Sequence, residues 1–195
     1  LPGGDRLFRC YQVPMLHVTV DSAVVGVQAL TFADATLVLE RAGRAIARGR
    51  TTRPWLDVGA VVLRDAAGAP VAARPGDVVR ATLDGAAVEV PVAALTAAVE
   101  PSGAAIGGTA PPGAALELVR TSPLARTTAD ASGRYRFDAL EAAWLDGALP
   151  RPGTELSVVE RLPSGHVRRA RLLGPTIQAD IGTRTIAGQA AAGAT

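Results

Sequence analysis

The sequence predicts an all-β protein made of tandem Greek-key β-sandwiches, with about seven short strands in each. Three observations carry that expectation. The chain repeats itself at long range, its apolar residues alternate with a period of two, and Gly, Pro and Asp turn signals recur every ~8–12 residues.

The repeat is legible from the prolines. Pro14, Pro91 and Pro175 each open a copy, at spacings of 77 and 84 residues. Leu1-Pro2-Gly3-Gly4-Asp5 superposes without a gap on Leu162-Pro163-Ser164-Gly165-His166, and each run leads to its proline at the same distance. Ile106-Gly107-Gly108 reappears as Ile186-Ala187-Gly188. The expected organisation is the last hairpin of a preceding repeat over 1–13, one repeat over 14–90, a second over 91–174, and the first strands of a further repeat over 175–195. Leu1 at the start, with no signal peptide, reads as a processed product or a segment of something longer. Proline fixes φ at each junction and no Gly/Ser linker intervenes, so a semi-rigid rod is expected.

The elements follow in order. After each proline an alternating run appears: Leu16, Val18 and Val20, then Ala93, Leu95 and Ala97, then Ile177, Ala179 and Ile181. Period two reads as a half-buried strand, with His17, Thr19, Gln178 and Asp180 turned to solvent. Next, Leu37 and Leu39 match Leu116 and Leu118. Residues 33–48 include good helix formers. Their repeat partner holds Pro111, Pro112, Gly113 and Pro123, which a continuous helix does not accept, so strand is expected in both copies. Asp130-Ala131-Ser132-Gly133 is a turn in which Asp caps backbone N–H groups and Gly takes positive φ. It feeds Tyr135 and Phe137 to one face and Arg134 and Arg136 to the other. The first copy departs at this point, with Arg53-Pro54-Trp55-Leu56-Asp57. A short helical turn is expected over 140–145. Each copy closes on a hairpin, 78–83 returning through Asp84-Gly85 and 155–162 returning through Pro163-Ser164-Gly165. The expected core comprises Leu37, Leu39, Val79, Leu116, Leu118, Tyr135, Phe137, Leu156 and Val158.

Composition bounds the function. Apolar residues make up 48% of the chain but only seven are aromatic, so the cores must be built from Leu, Val and Ala. All twenty basic residues are Arg, and Lys and Asn are absent. That excludes N-glycosylation sequons and Lys–Asn isopeptide cross-links. A net charge of +2 is too small to point to nucleic acid. Cys10 is single, so no intrachain disulfide forms. No apolar run approaches the ~20 residues of a membrane-spanning helix.

The second copy carries a family resemblance. Gly108-Thr109-Ala110-Pro111-Pro112-Gly113-Ala114, then Thr127-Thr128-Ala129-Asp130-Ala131-Ser132-Gly133-Arg134-Tyr135-Arg136-Phe137, then Pro152-Gly153-Thr154, resembles the bacterial Ig-like (Big-type) repeats of surface proteins and adhesins. The carboxypeptidase regulatory-like and collagen-adhesin B-type sandwiches share the middle motif. The likeness covers 108–172 well and the first copy weakly. It implies Ig-like sandwiches in an extracellular, cell-surface, non-enzymatic protein.

Candidate sites are sparse. His17 and His166 are the two histidines, and neither lies in a Ser–His–Asp or Cys–His arrangement that the repeat keeps together, so no catalytic residue is expected. Asp57, Asp65, Asp130, Asp146 and Asp180 are dispersed and read as turn-shaping residues. No cofactor is expected from the residues themselves, while the resemblance leaves room for calcium at domain junctions. Trp55 and Trp144 are the candidates for stacking on sugar rings, against a plainer role of closing aromatic-poor cores. Arg168 and Arg169 are strand neighbours and point to opposite faces, which argues against one basic patch. The expected function is a structural spacer or a filament or surface-layer component. Its partners would be neighbouring repeats or head-to-tail copies of itself, with no nucleic acid. The alternative is an adhesin module that binds a carbohydrate, such as a polysaccharide, or another ligand.

Overall fold

The computed structural model describes residues 15–28, 35–51, 59–83, 86–100, 105–138, 155–173, 176–180 and 185–189. The described elements are all strands. The first seven are β1 (Met15–Thr19), β2 (Val24–Gln28), β3 (Ala35–Arg41), β4 (Arg44–Thr51), β5 (Gly59–Val62), β6 (Val78–Leu83) and β7 (Ala86–Pro91). The next seven are β8 (Ala98–Val99), β9 (Ala105–Thr109), β10 (Ala115–Val119), β11 (Pro123–Thr128), β12 (Arg134–Asp138), β13 (Glu155–Arg161) and β14 (Val167–Leu173). A last pair is β15 (Thr176–Asp180) and β16 (Thr185–Gln189). The region of helix formers is a strand pair, β3 and β4. The expected helical turn over 140–145, the Asp84-Gly85 turn and residues 1–14 lie outside the described residues.

Each set of seven strands has the same order. In the first, β4-β3-β6-β7 forms one sheet and β1-β2-β5 the other. In the second, β11-β10-β13-β14 and β12-β9-β8 repeat that pattern strand for strand. A three-stranded layer therefore faces a four-stranded layer across a core, with Greek-key connections, as in an Ig-like sandwich.

The layers are not separate. β1 pairs with β14 in parallel, in the register His17↔Val167, Val18↔Arg168 and Thr19↔Arg169. This joins β1-β2-β5 to β11-β10-β13-β14 as one seven-stranded sheet. The two units therefore share a sheet, a contact that the proline spacing does not reveal. The physical reason is the edge. β1 and β14 are the terminal strands of their layers, and pairing them satisfies two rows of backbone N–H and C=O groups at once.

Both cores lie on one face of the shared sheet. Over its first part Leu16, Val18, Val25 and Val27 pack with Leu37, Leu39, Val79, Leu83 and Val90. Over its second part Leu116, Leu118, Leu156, Val158 and Leu172 pack with Ile106, Tyr135 and Phe137. All nine expected core residues are buried. Tyr135 and Phe137 meet edge to face, with ring centroids 5.6 Å apart at 69°.

One expected strand is not formed as read. Leu95 is buried and Ala97 half-buried, so the alternation over 93–97 holds, but the paired strand is only Ala98–Val99. The cause is Thr96. Its Oγ1 accepts from the Thr109 N–H at 2.9 Å, taking the place of a backbone carbonyl. Its own carbonyl accepts from the Tyr135 hydroxyl instead. Gly108 makes this possible, because a Cβ there would lie 2.0 Å from the Thr96 oxygen. In the first sandwich the chain crosses between layers after β5: Arg48 and Arg64 exchange two backbone hydrogen bonds of 2.8 Å, closing one side.

Leu118→Ala is expected to lower the unfolding free energy by about 2–5 kcal/mol in denaturant titrations, and Leu39→Ala to do the same in the first core. An unchanged midpoint would show that the strand phase is wrong.

Candidate functional site

Among the described residues, the buried Glu160, His166 and Arg168 gather where β1 meets β14. Alternation and register set out two faces there. On the core face Val18, Arg168, Glu160 and Leu116 stand in one row across four strands. Val18 belongs to the first core and Leu116 to the second. Between them Arg168 Nη2 donates to Glu160 Oε1 at 2.6 Å, and the two residues are 8% and 6% exposed. An ion pair therefore divides the two apolar cores within one continuous sheet. It is incompletely satisfied: Arg168 Nε and Glu160 Oε2 are buried without a partner among the described residues. Val20 packs against both cores at the edge of the divide.

On the opposite face His17, Val167 and Arg161 stand in one row and Thr19, Arg169 and Val159 in the next. Sequence reading sends His17 to solvent. It is half-buried instead, because Val159 and Val167 on the neighbouring strands are themselves buried on this face. His17 Nε2 and Arg169 Nε are buried without a partner among the described residues. His166 precedes β14, is 4% exposed, and its Nδ1 accepts from the Leu16 N–H at 3.4 Å. An imidazole nitrogen accepts only when it carries no proton, so this contact requires neutral His166.

Burial holds both histidines below the ordinary value of 6.5. For His17 desolvation is the largest cause. A hydrogen bond with the Gln28 side chain opposes it, and the charges of Arg169, Arg161 and His166 add to it. The two rings are 149 positions apart in sequence and are brought to one seam by the parallel pairing. Among the described residues their partners are an amide side chain and a backbone N–H, which orient a ring.

The remaining sequence candidates fall as follows. Trp55 and Trp144 lie outside the described residues, as do Asp57 and Asp146. Asp180 lies in β15, of which only the backbone is described. Asp65 and Asp130 shape turns. Asp65 Oδ1 accepts from the N–H of Ala67 and of Ala69, and Asp130 Oδ1 from those of Ser132 and Arg134. Among the described residues no cluster of three or more His, Cys, Asp and Glu side chains could hold a metal ion. Arg168 and Arg169 do point to opposite faces. Sequence reading missed Glu160 and Arg161 as their company. The strand pairing shows the difference between the sets: the residues of β7 that stand where Arg168 and Arg169 stand on β14 are Ala86 and Ala87.

Elsewhere the outer faces carry cross-strand ion pairs. Arg80 bridges Glu40 and Glu89, Glu117 lies between Arg126 and Arg161, and Arg136 meets Glu100. Each is solvent-exposed on the arginine side and contributes little to stability. A shallow open groove crosses the outer face of β8, β9 and β12, lined by Glu100, Thr128, Asp130, Arg134 and Arg136. Asp77 is a buried exception in the first sandwich. Burial pushes its carboxyl up, but Arg41, bound through both oxygens at 2.8 Å, and the Arg74 N–H outweigh that and hold it below the usual range.

No family model matches the chain, and no curated protein matches it. Among solved structures the crystal structure of murine CEACAM1b is similar at 12% identity, with 83% of this chain and 98% of that chain covered and a TM-score of 0.22. The class is fixed by the strand order: an all-β protein of Ig-like sandwich architecture.

The seam makes stability pH-dependent. The unfolded chain takes up protons near pH 6.5, while the folded chain keeps both rings neutral to lower pH. The unfolded state then binds more protons, so stability is intact above 6.5 and is lost as the pH falls through the lowered folded values. A His17→Gln, His166→Gln double variant is expected to flatten the pH dependence of the thermal midpoint between about pH 7 and 5. The divide is testable separately. Glu160→Ala is expected to cost about 3–5 kcal/mol by stranding Arg168, whereas Glu160→Leu with Arg168→Met is expected to be neutral or stabilising. Equal losses in both would refute the ion-pair account.

Proposed function

We propose that this chain is a non-catalytic structural unit of an extracellular array, a stiff spacer or a filament component at a cell surface. The observation that carries this reading is the seven-stranded sheet running through both sandwiches. Two modules joined only by a linker swing about it, whereas two modules that share backbone hydrogen bonds across β1 and β14 resist relative rotation. The N–H of Val20 donates to the Arg169 carbonyl at 2.9 Å and extends the seam beyond the paired strands. The likeness of the second copy to surface-protein repeats supports an extracellular setting. The even scatter of small ion pairs over the outer faces suits a solvated strut.

Pulling the chain by its two ends in a single-molecule force experiment tests the reading. The intact protein is expected to rupture in one cooperative event. Val18→Pro, which removes a β1 N–H on the side that faces β14, as the Val20 N–H does, and fixes φ, is expected to divide that event into two weaker ones. Two independent events in the unmodified protein would sink the stiff-spacer reading. Saturable binding of the soluble chain on a glycan array would favour the adhesin alternative.

A further inference from the structure

The seam within the chain is a template for a contact between chains. β14 is the seventh strand of its set, and its outer edge is filled in parallel by β1, the first strand of the other set. β7 is the seventh strand of the first set and ends the sheet β4-β3-β6-β7. Among the described residues nothing pairs with its outer edge. A second first-type strand is also present. β15 follows Pro175 as β1 follows Pro14, with Ile177 and Ala179 in the places of Leu16 and Val18. β15 pairs with β16 and with no other described strand.

We propose that the outer edge of β7, unpaired among the described residues, receives β15 of a second copy of this chain, in the parallel register in which β14 receives β1. The inference rests on the structural-array reading and names the partner and the contact. The register follows from the two hairpins. Val79↔Val90 and Ala81↔Val88 in the first set correspond to Leu156↔Leu172 and Val158↔Ala170 in the second, which puts Ala86 where Arg168 stands and Ala87 where Arg169 stands. Transposing Val18↔Arg168 and Thr19↔Arg169 gives Ala179↔Ala86 and Asp180↔Ala87. Ala86 and Ala87 are exposed, small and uncharged, so the edge offers its backbone with no side chain to desolvate. Asp180 then meets no opposing carboxylate. The donor strand and the acceptor edge are different surfaces, so the contact is head-to-tail and leaves a free donor and a free acceptor on every dimer. It propagates one chain at a time into a filament with the same edge pairing between chains as within them.

Disulfide trapping tests the register. Ala87→Cys and Asp180→Cys are introduced into separate chains on a Cys10→Ser background, and the two proteins are mixed and oxidised. Paired residues on neighbouring strands lie within disulfide range, so a mixed dimer is expected, at least ~tenfold above either protein alone. The chain carrying both substitutions is expected to give a ladder of dimers, trimers and larger species. Thr176→Cys in place of Asp180→Cys displaces the thiol by roughly 13 Å along the strand and is expected to give no mixed dimer. Circular dichroism of each variant confirms that the fold is kept. Monomer only, an intrachain disulfide in the doubly substituted chain, or equal trapping with Thr176→Cys would each overturn the proposal. None of those results bears on the pulling experiment, in which the spacer reading stands or falls.

Discussion

The parallel pairing of β1 with β14 is the constraint on which the rest of this structure depends. Without it the chain is two small sandwiches, each with an open edge where hydrogen-bonding groups invite the wrong partner. With it the three-stranded layer of one sandwich and the four-stranded layer of the other become a single sheet. Each backbone hydrogen bond of the seam adds only about 1 kcal/mol net. Their joint effect is on geometry, because a sheet shared by two cores gives the two sandwiches a fixed relation.

That sharing creates a problem which the side chains at the seam resolve. Two apolar cores on one face of one sheet would otherwise run together. Arg168 and Glu160, between Val18 and Leu116, interrupt them. A buried ion pair gives little stability, since desolvation offsets the attraction between the charges. It stands in the row between Val18 of the first core and Leu116 of the second. Just before β14 the neutral imidazole of His166 accepts from the Leu16 N–H, where a protonated ring could not. The seam is therefore flanked by an ion pair between β13 and β14, and at the start of β14 it is crossed by a contact that needs an uncharged ring.

Comparison of the two strand sets shows how a repeat becomes specialised. Their topologies coincide, and so do the apolar positions of the third, sixth and seventh strands. They differ at the edges. Arg168 and Arg169 replace Ala86 and Ala87, and a five-residue β1 replaces the two-residue β8 that Thr96 cuts short. Core positions tolerate only what fills the same volume. Edge positions answer to whatever lies beside them, and in these two sets the neighbours differ.

The sequence by itself determined the class, the strand phases and the core. Period-two alternation is a local property, and it placed Leu37, Leu39, Leu116, Leu118, Tyr135 and Phe137 inside because a strand has only two faces. The Asp-Gly and Pro-Ser-Gly turns located both closing hairpins for the same local reason. The repeat removed the helix that propensity allowed over 33–48. The tertiary structure alone decided the seam. Pairing between residues 150 positions apart leaves no periodic mark, so nothing local told β14 to accept β1 or sent His17 against Val167. Arg168 and Arg169 read as ordinary strand arginines until the sheet placed one between two cores and the other beside a buried imidazole. A strand's own pattern says which side chains are buried, while its edge partner is fixed only by the strand that fits the unpaired backbone beside it.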